Sequence, residues 1–186
     1  MSIIEIKMAM ESFFDIRFSY VSVIALFILS GIYCFLRMRE KKYGYKCSKA
    51  KMISAILLTV YLALLIGGMM FNRTPQEDYQ LELIPVWSYI RLFREKNLNL
   101  LRQMISNVLV FIPWPILFAT VFPCMRKFWR AIGSAFLFSV SVEITQLVLR
   151  IGLFEFDDMF HNVLGAMIGY YIWVFCRKHK QKGVEE

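Results

Sequence analysis

Charge is scarce in this chain. Only 19% of its 186 residues are Asp, Glu, Lys or Arg and 58% are hydrophobic, against roughly 25% and roughly 45–50% in soluble domains. A chain of this length keeps most of its residues near its surface, so this composition excludes an ordinary water-soluble domain. Glycine and proline are also few, at nine and five, beside 17 Phe, which excludes a collagen-like, low-complexity or disordered chain. The two His and four Cys show no C-x-x-C pair and no His cluster, so no metal site is expected, and nothing points to a cofactor. A cleavable leader is missing as well. Glu5, Glu11 and Asp15 stand against Lys7 and Arg17 where a leader has a basic start, and no A-x-A-like site follows the first apolar run. That run is therefore expected to be retained.

What the chain has is long apolar blocks, with a mean hydropathy of +0.52. Crossing roughly 30 Å of hydrocarbon takes about 17 to 25 apolar residues, and five stretches meet that requirement: 18–36, 52–71, 103–122, 131–149 and 159–176. The first two are interrupted only by small residues tolerated in membrane helices, namely Ser19, Ser22, Ser30 and Gly31, then Ser54, Thr59, Gly67 and Gly68. The expected fold is all-α, a polytopic membrane helix bundle of about five spans in a single integral domain over 1–186.

The formal charge of +8 does not lie along one solvated face, as nucleic-acid binding would require. No nucleic-acid partner is expected; the partners are membrane lipids. Fourteen of the 22 basic residues fall in 37–51, 123–130 and the tail after Cys176, whereas 1–17, 72–102 and 150–158 hold ten of the fourteen acidic ones. The positive-inside rule then predicts a multi-pass protein of the cell membrane with its N-terminus outside and its C-terminus cytoplasmic. Cys34, Cys47, Cys124 and Cys176 all lie on or beside the cytoplasmic segments, where thiols stay reduced. The outer connection 72–102 carries Val86, Trp87, Ile90, Phe93, Leu98 and Leu101 among Arg91, Arg94, Glu95 and Lys96, and it reads as an interfacial helix. Residues 1–17, with Ile6, Met10, Phe13 and Phe14, read as an amphipathic stretch on the same surface.

Ionisable groups inside a span are costly and mark function. Ser139, Glu143, Gln146 and Arg150 follow offsets of 0, 4, 7 and 11, one helical stripe on the fourth span. On the fifth, Asp158, Asn162, Gly165 and Gly169 repeat those offsets, the glycines permitting close helix packing. The third span adds Asn107, then Pro113 and Pro115, which remove two amide donors and are expected to kink it. Two readings stay open. These side chains are either polar glue between helices, or the lining of a small pocket facing the outer leaflet that takes a lipid headgroup or a lipid-linked cell-wall precursor. His161 reads as an interfacial residue rather than a general base.

The segments N-V-L-V-F-I-P (107–113), S-V-S-V-E-I-T-Q (139–146) and G-L-F-E-F-D-D-M-F-H-N-V-L-G-A-M-I-G-Y (152–170) resemble the VanZ-like family, membrane proteins associated with resistance to teicoplanin and lipoglycopeptides. The likeness covers about 83–176. Glu82 stands where the family has Asn, and Pro115 where it has Gly. The resemblance implies a cell-envelope role that lowers susceptibility to glycopeptides or other surface-acting agents. It supplies no reaction, so an intramembrane enzyme using Glu143 or Asp158 as general base and a small transporter remain alternatives.

Overall fold

The structure, a computed structural model, describes residues 24–25, 27–33, 35–36, 38, 40–42, 44, 49–70 and 76–182. It divides into two units, Met1–Asn72 and Arg73–Glu186. In the first, the described residues between 24 and 42 are helical, and α1 spans Lys49–Met70. The amphipathic stretch expected over 1–17 and part of the first span lie outside the described residues.

The second unit runs β1 (Gln80–Glu82), α2 (Trp87–Glu95), α3 (Leu98–Phe111), α4 (Pro113–Val121), a 3-10 turn (Pro123–Arg126), α5 (Phe128–Val148), β2 (Leu153–Glu155) and α6 (Phe156–Lys182). Among the described residues, four stretches are long and apolar enough to cross a membrane: Lys51–Met69, Leu98–Val121, Phe128–Val148 and Phe156–His179. They correspond to the second to fifth sequence spans. The architecture is an all-α membrane bundle with one small strand pair that the sequence pattern does not announce.

The interfacial segment is divided where the sequence reads as continuous. Lys96 takes a left-handed backbone (φ 49), and the Asn97 side chain then caps α3 by accepting from the amides of Asn99 and Leu100 at 3.0 and 3.4 Å. The third span therefore begins five residues earlier than hydropathy suggests, and Gln103 belongs to it. Its far half is interrupted at Ile112. Pro113 has no N–H to give the Leu109 carbonyl, which takes the Ile112 amide at 3.3 Å instead.

Helix α6 packs most extensively on α3, then on α5 and α4. Its approach to α3 is backbone to backbone, because a Cβ on Gly165 would overlap the Val108 carbonyl oxygen and one on Gly169 would overlap that of Ile112. Helix α5 buries Ala131, Ile132, Ala135, Ser139, Val142, Glu143 and Gln146, a stripe whose first half is apolar and whose second half is mostly polar. Trp114 fills the space beside it, 4.5 Å from the Phe118 ring and 4.7 Å from Phe138, and donates its indole N–H to Ser134 Oγ at 3.0 Å.

Strands β1 and β2 pair in parallel, setting Gln80, Leu81 and Glu82 opposite Leu153, Phe154 and Glu155. A parallel pair needs a long crossover, supplied here by α2 to α5. The start of α3, the end of α5 and the start of α6 consequently share one end of the bundle with both strands.

Candidate functional site

That shared end gathers the buried polar residues. Glu143 sits five residues before the end of α5, roughly 8 Å down at about 1.5 Å per residue, and is 4% exposed. Its Oε2 accepts the Glu155 amide at 3.4 Å. Asp158, in the first turn of α6, and Glu155 are both buried. The Gln103 amide joins them, its Nε2 donating to Glu155 Oε2 at 2.7 Å and to Asp158 Oδ2 at 3.2 Å. One turn deeper on α6, Asn162 donates to Ser139 Oγ at 2.8 Å, and Ser139 lies one turn deeper than Glu143 on α5. Gln146 is buried on the Glu143 stripe.

The strand register places Glu82 directly opposite Glu155, an unfavourable pairing of like charges. Arg91 offsets it from α2, at 3.2 Å from Glu82 and 3.9 Å from Glu155. Burial, reinforced by the negative charges of Asp158 and Glu82, pushes the Glu155 carboxyl from its ordinary 4.5 up to about 7, against the opposing effects of Gln103 and Arg91. The folded protein therefore holds a proton at Glu155 that the unfolded chain releases earlier. This contribution lowers stability as pH rises from about 4.5 to about 7 and is constant outside that window. Thermal unfolding followed across this range is expected to show a falling midpoint, and Glu155→Gln is expected to flatten the dependence.

Two further contacts fasten α2 to α6. Asp157 accepts the backbone amides of Val86 at 2.7 Å and Ser88 at 2.9 Å, and the Tyr89 hydroxyl meets His161 Nε2 at 2.8 Å. His161, read from sequence as an interfacial side chain, is 2% exposed. The docked α2 covers it.

Of the residues singled out in the sequence, Ser139, Glu143, Asp158 and Asn162 share this cluster, with Gln146 on the same buried stripe. Arg150 stands apart because α5 ends at Val148. It adopts a left-handed backbone (φ 55), and its exposed side chain stacks over Tyr79 at 4.4 Å and donates to the Glu77 carbonyl at 3.1 Å. Asn107 is half-buried, one turn beyond Gln103 on α3, and among the described residues it makes no hydrogen bond to the cluster. Gly165, Gly169 and Pro115 serve the α3–α4–α6 packing below it, and Pro113 opens α4 after the interruption at Ile112.

The residues missed are Gln103, Glu155, Asp157, Glu82, Tyr89 and Arg91. Gln103 had a signal, since it stands four residues before Asn107 as Ser139 stands before Glu143. Asp157 had none, because its partners are backbone amides about 70 positions away.

The VanZ/LLP1 family pattern matches residues 55–177. The chain belongs to the VanZ/LLP1 family. The matched region takes in most of α1 as well as every element of the cluster. Protein VanZ of Enterococcus faecium is 28% identical over 137 residues, covering 69% of this chain and 78% of that protein. No solved structure matches the chain. With its apolar helices, this VanZ/LLP1 member is a multi-pass membrane protein.

Proposed function

We propose that the carboxylate and amide cluster is an outer-leaflet binding site for a lipid headgroup or a lipid-linked cell-wall precursor. Through it, the protein lowers the susceptibility of the cell envelope to teicoplanin-type glycopeptides or other surface-acting agents. The observation that carries this reading is the burial of Glu143, Glu155 and Asp158 together at one end of the bundle. Buried carboxylates lower stability unless compensated, and a sequence under pressure only to pack would fill those positions with apolar side chains. The lysine and arginine distribution favours placing that end outside. Family membership supports the envelope setting, and the resemblance to glycopeptide-resistance proteins supports the phenotype.

A strain lacking the protein is expected to be more susceptible to such agents. The intact chain is expected to restore tolerance, whereas Glu143→Gln and Asp158→Asn at matched protein level are not. Full restoration by Glu143→Gln would remove the cluster from the function.

One observation favours a second reading, an intramembrane enzyme acting on a lipid or wall precursor. Glu155, held up to about 7, has the proton affinity of a general acid or base at neutral pH. Product formation by purified protein on outer-leaflet lipid extracts, lost in Glu155→Gln, would establish this reading in place of a passive binding site.

A further inference from the structure

We infer that the cluster selects a ligand bearing a primary ammonium group. The inference rests on reading the cluster as the binding site. Its carboxyl groups come from three elements, Glu143 on α5, Glu155 on β2 and Asp158 on α6, each at most 6% exposed. Beneath them on the helices lies the Asn162 amide. That side chain is 2% exposed, one turn below Asp158, and gives its Nδ2 to Ser139, itself one turn below Glu143. The Asn162 Oδ1 has no hydrogen-bond partner. A buried acceptor left in that state needs a donor, and the carboxylates above it are acceptors when ionised.

An anionic group, such as a bare phosphate, would face the carboxyl groups of Glu143, Glu155 and Asp158, against which Arg91, 3.9 Å from Glu155, sets a single positive charge. Among the described residues no three His, Cys, Asp or Glu side chains converge to hold one metal ion. An alkylammonium group carries three N–H donors on one charge and can address carboxylates on two helices together with the amide oxygen beneath them. A trimethylated nitrogen has no N–H to give and is held by aromatic faces instead. The elevated proton affinity of Glu155, which comes first from burial and then from the charges of Asp158 and Glu82, agrees with this, since an arriving cation relieves the repulsive part. The same ammonium chemistry is offered by an ethanolamine phospholipid headgroup and by the side-chain amine of a wall-precursor peptide.

The test uses the full chain purified in detergent and three probes: short-chain phosphatidylethanolamine, phosphatidylcholine of the same chain length, and a soluble lysine-containing peptide. Binding is read by native mass spectrometry and by the shift in unfolding temperature. The ethanolamine lipid is expected to bind about tenfold more tightly than the choline lipid, and Glu143→Gln to remove that preference. Asn162→Asp keeps the shape of the side chain and adds an acceptor, and it is expected to tighten ethanolamine-lipid binding severalfold. This second variant decides the matter if Glu143→Gln does not fold. Binding of the peptide in place of the lipid would support the ammonium preference and assign the amine to a wall precursor. Equal binding of the two lipids with no binding of the peptide, or no response to either substitution, would overturn the inference. Loss of tolerance in Glu143→Gln cells without any ammonium preference overturns this inference and leaves the envelope function standing. An ammonium preference with unchanged susceptibility does the reverse.

Discussion

Gly165→Ala is expected to abolish most of the folded protein, although it adds a single methyl group. The added carbon would overlap the Val108 carbonyl oxygen, with the Val108 backbone around it. No rotamer relieves a clash with backbone, so α6 must move away from α3 along its main packing seam. Overpacking of this kind typically costs about 1–3 kcal/mol and more where the neighbour cannot give, and we expect the upper end here. Gly169→Ala should behave alike, because it meets the Ile112 carbonyl and the Pro115 ring. Gly133 provides the internal control. A carbon added there has open space around it, and in the middle of α5 alanine is preferred to glycine by about 1 kcal/mol. Gly133→Ala should therefore be neutral or slightly stabilising. Fluorescence-detected gel filtration of each variant after a heating series compares them directly. Survival of Gly165→Ala at wild-type temperatures would mean that α3 and α6 are not in backbone contact.

Asp157→Ala is expected to release α2 from the bundle without unfolding it. Helix α2 has no side-chain cap of its own, since Val86 precedes it with a left-handed backbone (φ 68) and no hydrogen-bonding side chain. Asp157 performs that task from α6, taking two orphan amides on its two oxygens and placing a negative charge at a helix N-terminus. Its removal leaves the buried Ser88 amide and the part-buried Val86 amide without acceptors, at a cost of roughly 3 kcal/mol. Since about 1.4 kcal/mol is tenfold, amide exchange over 84–96 should accelerate about a hundredfold while α5 stays protected. Asp157→Asn should be nearly as damaging, because one acceptor becomes a donor facing an N–H. Unchanged exchange in α2 would show that Tyr89 and Arg91 alone hold it in place.

The part of the site that periodicity reveals is the part carried on long helices. The offsets among Ser139, Glu143 and Gln146, and between Asp158 and Asn162, reach the same seam because 3.6 residues per turn is independent of context. Arg150 fits those offsets and still lies elsewhere, since arithmetic along a helix does not show where the helix stops. Glu82 and Glu155 were invisible to such reasoning. They meet through a three-residue parallel strand pair whose partners are separated by the entire crossover, and strands that short carry no pattern of their own.

Composition and residue order suffice to show that this chain lives in a bilayer, roughly which stretches cross it, and which family it resembles. Those properties follow from composition and local period, which the surrounding fold does not alter. That Asp157 caps α2, that Gln103 bridges two acids, and that His161 is buried under a helix about 70 residues earlier emerge from the packed fold alone. Each of these depends on main-chain donors or on side chains brought together by packing, and no residue spacing encodes a backbone amide on another element.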